Sequence, residues 1–182
     1  MKRSLRAVIV AGLITTGMAA SFWIVTAYAA EATLEQQQAI VTRCDQLRVQ
    51  LGTVQKNETV TRVTRGRVYD LEIIPYVTAF NSRIATNNVD APELISTAAQ
   101  IQASVNAYAN QFTTYSDDLT NAQRIDCKTK PGEFYDWLDK ARADRATLAA
   151  QVAHIDQLVA AYTGQLQVLE QRFTPVINGS QQ

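Results

Sequence analysis

Two cysteines are the residues of this chain whose type and spacing most directly suggest chemistry. Cys44 and Cys127 are far apart in the sequence and fit neither a CxxC redox motif nor a zinc-binding pattern. We therefore predict a structural disulfide between them, which requires an oxidising compartment. Such a bond would close a long loop and stabilise the fold by roughly 4–5 kcal/mol in the chain-entropy model.

Three acidic residues form a weak candidate metal site close behind the second cysteine. Glu133, Asp136 and Asp139 recur every third residue and would share one side of a helix, and carboxylates are ligands that calcium prefers. Pairing of acids with Lys140 one turn away, and the favourable placement of acids near a helix start, favour a solvated helix face instead. We therefore predict no metal and no other cofactor.

The sequence contains no recognisable catalytic constellation. His154 is the only histidine, and the sequence places no serine or cysteine nucleophile beside it. Dinucleotide-binding, phosphate-loop, zinc-protease and serine-hydrolase motifs are absent as well. We therefore predict that the protein is not an enzyme.

Aromatic residues are densest shortly after the second cysteine, around Tyr135 and Trp137. These side chains either pack over the preceding turn and shield the disulfide, or form an exposed contact for a partner or a membrane interface. Arg145 is a charged residue in an otherwise apolar helical stripe, where it either fixes helix pairing or extends to the surface. Tyr135, Trp137 and Arg145 are therefore the candidate interaction surface.

The first thirty residues predict export. A positively charged start precedes an apolar run, and Ala27-Tyr28-Ala29 has the small residues of a signal-peptidase site. Residues 1–30 are therefore a signal peptide cleaved after Ala29 or, since residues 7–29 are long enough to span a bilayer, an uncleaved signal anchor. Both alternatives give an extracytoplasmic protein that is secreted, periplasmic or anchored with its C-terminus outside.

Composition limits the class of protein and its partners. Apolar residues make up 47% and charged residues 19% of the chain, which indicates a folded domain rather than a disordered tail. The net charge is zero, but Lys2, Arg3 and Arg6 belong to the export segment, so the exported part has more acids than bases. Such a surface does not attract phosphate backbones, and we predict no nucleic-acid partner.

Two arms, at about residues 90–124 and 131–173, carry apolar residues alternately every third and fourth position, which is the heptad pattern of packed helices. The seam of the middle arm consists of Leu94, Ala98, Ile101, Val105, Tyr108, Phe112, Tyr115 and Leu119. The seam of the last arm consists of Phe134, Leu138, Ala141, Arg145, Leu148, Val152, Ile155, Val159, Tyr162, Leu166, Leu169 and Phe173. Helices with such narrow stripes need partners along their length.

The middle arm has an explicit helix start. Asp90 and Glu93 fit a capping box, and Pro92 suits the first turn. Val89 and Leu94 occupy the two positions of a hydrophobic staple.

The first arm, at about residues 33–87, is less regular. Its heptad positions are Ile40, Cys44, Leu47, Leu51 and Val54. Gly52 and Lys56-Asn57 predict a break near residues 52–58, and Pro75 predicts a kink. After the break, a helical stripe resumes in a shifted phase at Val60, Val63, Leu71 and Ile74.

Short connections between the arms predict their arrangement. Asn87–Ala91 and Cys127–Gly132 are short links, and short links between helices join antiparallel neighbours. We therefore predict an all-α fold, in which the signal or anchor helix precedes an elongated, coiled-coil-like antiparallel three-helix bundle over residues 31–173. Residues 174–182 are predicted to be a polar tail.

One stretch of the last arm resembles a known pattern. Residues 127–145 are similar to small exported helical proteins of candidate-phyla bacteria with reduced genomes. The resemblance is carried by Cys127, Pro131, Phe134-Tyr135-Asp136, Leu138, Ala141-Arg142 and Arg145. It implies an exported helical protein and no particular activity.

Two hypotheses for function remain open. The first is a non-enzymatic, exported or membrane-anchored envelope protein that acts as a structural or protein-interaction bundle, with a protein partner or self-association. If the N-terminal segment is retained, residues 7–29 also bind the membrane. The alternative is an extracytoplasmic ligand- or metal-binding module like the helical sensors, with a site near Arg145 or near the acidic residues of the last arm.

Overall fold

The computed structural model of the chain describes residues 31–179, and these residues form helices and turns without any strand. An all-α fold is thus confirmed for this part. The elements are α1 (Leu34–Val68), a π-helical turn (Tyr69–Ile73), α2 (Ile74–Thr86), α3 (Pro92–Arg124) and α4 (Pro131–Gly179). Helix α4 continues into the segment that was predicted to be a polar tail.

The predicted signal or anchor segment, residues 1–30, lies outside the described residues. Within residues 31–179, no helix combines the length and the apolar character that are needed to cross a bilayer.

Helix α1 begins with a capping box that the sequence analysis missed. The Gln36 backbone N–H donates to Thr33 Oγ1 at 3.2 Å, and the Thr33 backbone N–H donates to Gln36 Oε1 at 2.8 Å. These two bonds satisfy backbone groups that would otherwise lack partners at the helix start. The sequence Thr33-x-x-Gln36 matches the capping-box pattern, so it could have predicted this helix start.

The break predicted near residues 52–58 is wrong, because α1 runs without interruption through Gly52. A glycine lowers helix stability by about 1 kcal/mol, which neighbouring contacts can offset. Leu51 is only 7% exposed, and Gln55 Nε2 donates to Thr120 Oγ1 of α3 at 3.0 Å. Tertiary contacts therefore hold this segment helical.

The irregularity predicted at Pro75 takes the form of the π-helical turn that directly precedes it. The N–H of Ile74 donates to the carbonyl of Tyr69, one residue further back than in an α-helix. Proline has no N–H to donate, and its ring crowds the carbonyl of the preceding turn, so a wider turn relieves both problems. Tyr69 is buried at this turn.

The turn between α2 and α3 coincides with the short link predicted at Asn87–Ala91. Asn88 has φ 52°, in the left-handed region where asparagine is tolerated better than most residues. The Val89 N–H donates to the Ile84 carbonyl at 3.0 Å, and the Asn88 N–H donates to the Ala85 carbonyl at 3.2 Å. This pair of bonds closes the helix in a Schellman motif.

The capping box predicted for α3 is wrong. The cap residue is Ala91, which has no side-chain cap hydrogen bond, and Pro92 is the first helical residue. Because proline favours the first helical position, the helix begins one residue later than the Asp90–Glu93 pairing requires. Leu94 of the predicted staple is buried, and Val89 is partly buried against the core.

The core follows the seams of α3 and α4. Every seventh residue of the α4 seam is buried, namely Phe134, Ala141, Leu148, Ile155, Tyr162 and Leu169. On α3 the buried seam residues are Leu94, Ile101, Val105, Tyr108, Phe112, Tyr115 and Leu119. The α3 stripe and every other position of the α4 stripe therefore form the larger part of the core, whereas Arg145 and Phe173, which were also predicted for the α4 seam, are exposed.

The first arm contacts both α3 and α4 at several points along its length. Cys44 is bonded to Cys127, Gln55 contacts Thr120, and Tyr69 contacts Tyr108. Residues further along the first arm therefore contact residues further back in the sequence, from the α3–α4 turn into α3. Against α4, residues further along the first arm contact residues further along α4, from Glu58–Arg145 to Asn81–Tyr162. The three arms together form a helical bundle.

Candidate interaction surface

The disulfide end is the most firmly fixed part of the site region. Cys44 of α1 and Cys127 of the α3–α4 turn are bonded, with Cα atoms 5.6 Å apart and a sequence separation of 83, which confirms the predicted pair. Both cysteines are buried. Beside them, Lys128 Nζ lies 2.8 Å from Asp45 Oδ2 on the surface. The bond therefore ties the start of α1 to the end of α3.

The turn that presents Cys127 is organised by Asp126. The Lys128 backbone N–H donates to Asp126 Oδ1 at 3.0 Å, and the Thr129 hydroxyl donates to Asp126 Oδ2 at 3.1 Å. These two bonds hold the pKa of Asp126 below its ordinary value, because they stabilise the charged carboxylate.

The acidic residues at the start of α4 do not come together as a metal site. Among residues 31–179, no group of three or more His, Cys, Asp or Glu side chains is placed to hold a metal ion. Glu133 Oε2 instead lies 2.9 Å from Lys130 Nζ, and Asp136 is exposed. Asp139 is partly buried, and His154 is exposed on α4.

The predicted aromatic contacts are half-buried, and each has a basic neighbour on its own helix. Tyr135 and Trp137 both pack against the core. Lys140 Nζ lies 4.1 Å from the centre of the Trp137 ring, and the Arg142 guanidinium lies 6.0 Å from that of Tyr135. Cation–π contact of this kind covers part of each ring.

Arg145, the third member of the predicted surface, bridges α4 and α1. Its side chain is 66% exposed, and its Nε lies 3.3 Å from Glu58 Oε1, whose side chain is 20% exposed. A groove of about 390 Å³ runs beside this pair, with Arg65 and Phe112 among its lining residues. Tyr135, Trp137 and Arg145 are thus separate contacts along one helix rather than one patch.

A carboxyl pair lies between α3 and α4. Asp118 shares a hydrogen bond with Asp144, and Gln111 Nε2 donates to Asp144 Oδ1 at 2.8 Å. Asp144 Oδ2 is buried and accepts no hydrogen bond from the described residues. Burial of Asp118 and the hydrogen bond with Asp144 both raise the Asp118 pKa.

The far end of the bundle has two grooves. One, of about 490 Å³, lies between the start of α3 and the end of α4, where Leu94, Gly164 and Leu169 line it together with Arg172. The other, of about 420 Å³, lies between α2 and α4 and is lined mainly by apolar side chains, including Phe80 and Leu166. Between α2 and α4, the Tyr162 hydroxyl donates to Asn81 Oδ1 at 3.0 Å, and burial raises the pKa of Tyr162 to about 12.

The largest difference from the sequence analysis is on α1 and the π-helical turn. An apolar set, which we call the outer row, is exposed to solvent: Val49 (72%), Val60 (61%), Val63 (56%) and Leu71 (65%). The last three were predicted to resume the helical stripe. The shift in phase was the signal that they lie on a different side of the helix, and only Ile74 of that set packs against the core.

The outer row stays exposed because long side chains hold the middle of α1 against α3. The Tyr69 and Tyr108 rings meet edge to face with centroids 5.6 Å apart, and the Arg62 guanidinium lies 5.3 Å from the centre of the Phe112 ring. These contacts use one side of α1 and leave the opposite side uncovered.

An uncovered apolar row on an otherwise polar helix is a feature of protein-interaction surfaces. No protein-family model, curated protein or solved structure matches this chain, so the surface has to be interpreted from its own chemistry.

Proposed function

We propose that this chain is a non-enzymatic, extracytoplasmic envelope protein whose helical bundle acts as a structural or protein-interaction module. The observation that carries the proposal is the outer row. Four aliphatic side chains lie along α1 and the π-helical turn that follows it, and each is more than half exposed. Burying them against a partner would remove apolar surface from water, which favours association.

The proposed bundle is elongated and antiparallel, and it follows a signal peptide or a signal anchor at residues 1–30. The contacts advance along the first arm while they recede from the α3–α4 turn along α3, and this order supports the arrangement. The short turns after Thr86 and after Arg124 support it as well.

The Cys44–Cys127 bond supports an extracytoplasmic location, because disulfides persist mainly in oxidising compartments. Intact mass of the protein recovered from expressing cells, with and without reductant, tests this part. We expect a bonded pair, and either loss of residues 1–29 or retention of the whole segment in the membrane fraction. Free thiols on both cysteines in cells would contradict it.

Site-specific photo-cross-linking in expressing cells tests the interaction itself. A photoreactive residue at Val60, in the outer row, should give a discrete cross-linked product that mass spectrometry can identify. The same residue at Gln157, an exposed polar position on α4, is the matched control and should give none. Equal labelling patterns at the two positions would count against the proposal.

A ligand-binding module remains the second candidate, favoured by the groove at the far end. Its volume of about 490 Å³ falls within the usual range for small-molecule sites, and Asp90, Glu93 and Arg172 offer charged groups beside Leu94 and Leu169. A thermal-shift screen with divalent cations and small metabolites distinguishes the two candidates. A shift that Arg172→Ala abolishes would favour the ligand-binding module.

A further inference from the structure

Gly66 lies in the last turn of α1, inside the continuous helical stretch that leads into the π-helical turn, and no close contact within the chain requires a glycine there. A Cβ built on Gly66 would meet no atom within 4 Å, and the residue has no positive φ. Glycine inside a helix destabilises the helix relative to alanine. What glycine does offer is space for another backbone to approach closely.

The surface around Gly66 is concave and largely apolar. A groove of about 380 Å³ lies between α1 and α3, with Gly66 and Val63 on one side and Val105 and Ala109 on the other. Leu71, in the π-helical turn, also borders it. Two members of the outer row therefore stand at the edge of a groove that a helix could enter.

Charge is distributed unevenly on the two sides of Gly66. The arginines at positions 62, 65 and 67 lie before or beside it, and Asp70 and Glu72 follow it. A second α1 lying parallel would set like charges opposite each other. An antiparallel copy would set arginines opposite carboxylates, and the surface is therefore complementary to itself about a two-fold axis.

We propose that two copies of this chain associate through antiparallel contact of their α1 helices, with Gly66 of each copy at the crossing point. Val63 of one copy then faces Leu71 of the other, and Arg62 lies near Asp70 or Glu72. This inference rests on the proposed function and names the partner as a second copy of the chain. A different protein on the same face is an outcome of the tests below.

Cysteine cross-linking in the full chain tests the crossing point. Gly66→Cys should give a disulfide-linked dimer on non-reducing gels, because residues near a two-fold axis come within the Cα separation of about 4.4–6.8 Å that a disulfide needs. Gly164→Cys is the matched control, because a Cβ at Gly164 in α4 also meets no atom within 4 Å. Equal dimer yields from both variants, or none from Gly66→Cys, would overturn the proposal.

Alanine substitution separates the fold from the association. At protein concentrations where the chain is monomeric, Gly66→Ala and Gly164→Ala should both raise the melting temperature, because each replaces a helical glycine at a site with space for a methyl group. Only Gly66→Ala should weaken the dimer, by about 5- to 100-fold in dissociation constant, since the added methyl forces the helices apart. An unchanged dimerisation constant in Gly66→Ala would contradict close contact at this residue.

Charge reversal tests the antiparallel direction. One variant carries Asp70→Lys with Glu72→Lys, and the other carries Arg62→Glu with Arg67→Glu. Each variant alone should be monomeric, and an equimolar mixture should form a heterodimer because the reversed charges complement each other again. Circular dichroism confirms that each variant is helical, and a mixture that stays monomeric would overturn the predicted pairing.

Failure of this inference can be told apart from failure of the proposed function. If the wild-type chain sediments as a monomer at all concentrations while photo-cross-linking at Val60 captures one other protein, self-association is wrong and the interaction function stands. If Val60 captures nothing and the chain is monomeric, both are wrong.

Discussion

The α3–α4 pair and the first arm place apolar side chains at similar helical spacing and use them differently. Most seam residues of α3 and every other seam residue of α4 are buried, with Ile101 and Ile155 completely shielded from solvent. On α1 no residue between Leu51 and the π-helical turn is buried, and the outer row faces water. Regular heptads thus predict packing partners, whereas a stripe that changes phase does not.

The seam positions of α4 that are not buried lie between the α3–α4 pair and the first arm. Val152, Val159 and Leu166 are only partly buried, and Arg145 is mostly exposed and pairs with α1. These residues alternate with the buried ones, and the first arm covers them incompletely. The bundle therefore consists of one extensively packed helix pair and a third arm. This arm is attached by a disulfide, aromatic contacts, ion pairs and a few buried aliphatic residues towards its two ends, namely Ile40, Leu51, Val77 and Ile84.

Removing the disulfide should have the largest effect, because it anchors the less tightly packed arm. Cys44→Ala with Cys127→Ala should lower the free energy of unfolding by roughly 4–5 kcal/mol, since the open chain regains the entropy of a loop of 83 residues. Urea denaturation measures the change. Lys128→Ala, which removes only the exposed ion pair to Asp45, should change stability by less than about 1 kcal/mol.

Replacing one seam side chain and one outer-row side chain by alanine compares how much each region contributes to the free energy of unfolding. Ile155→Ala should cost about 2–4 kcal/mol, because it leaves a cavity in a fully buried site. Val60→Ala, at a position 61% exposed, should change the stability of the monomer by no more than about 0.5 kcal/mol. Similar losses in both variants, measured at low protein concentration, would show that the outer row is covered within the chain.

The Tyr162–Asn81 hydrogen bond is expected to have a smaller effect. Tyr162→Phe keeps the buried ring and removes the hydroxyl that donates to Asn81 Oδ1, so it should cost about 1 kcal/mol. Thermal unfolding of the variant beside Tyr76→Phe, whose ring is largely exposed, provides the measurement. Equal melting temperatures for the two variants would contradict a stabilising role for this link between α2 and α4.

The smallest effect is expected at the carboxyl pair, and it depends on pH. The folded state raises the Asp118 pKa above its ordinary value of 3.8, so the folded chain binds a proton more tightly than the unfolded chain does. The associated stability is present below 3.8 and is lost as pH rises through the raised value. Asp118→Asn should therefore be more stable than wild type at pH 7, by at most about 1 kcal/mol because the site is partly exposed and screened.

Denaturation of Asp118→Asn at pH 4 and pH 7 measures this difference. Asp126→Asn is the opposite case, because the folded state lowers the pKa of Asp126 and its contribution is lost as pH falls. The advantage of Asp118→Asn over wild type should grow from pH 4 to pH 7. A constant advantage would argue against a raised pKa of Asp118 in the folded state.

The predictable and unpredictable parts of the fold differ in physical origin. The seams of α3 and α4 and the disulfide were predictable, because period and residue type decide them. The helix through Gly52 was not, since it depends on contacts of Leu51 and Gln55 with distant residues. The start of α3 was misplaced by one residue, because both Pro92 and the Asp90–Glu93 pattern are good start signals and only one can set the first turn.

The candidate surface was located less well than the fold. The predicted residues Tyr135, Trp137 and Arg145 each have contacts within the chain, which their types alone do not reveal. Three of the four outer-row residues, Val60, Val63 and Leu71, were visible in the sequence as a change of phase after Val54. The outer row is exposed because the tyrosine and arginine contacts occupy the other side of the first arm. Which side they occupy depends on how all three arms pack.

Native-state hydrogen exchange of backbone amides measures the difference between the two regions most directly. We predict that amides in the interior of α3 and α4 exchange only through global unfolding, whereas those at residues 56–68 of α1 exchange through a local opening of lower free energy. Equal protection of α1 and α4 at low protein concentration would contradict a loosely attached first arm.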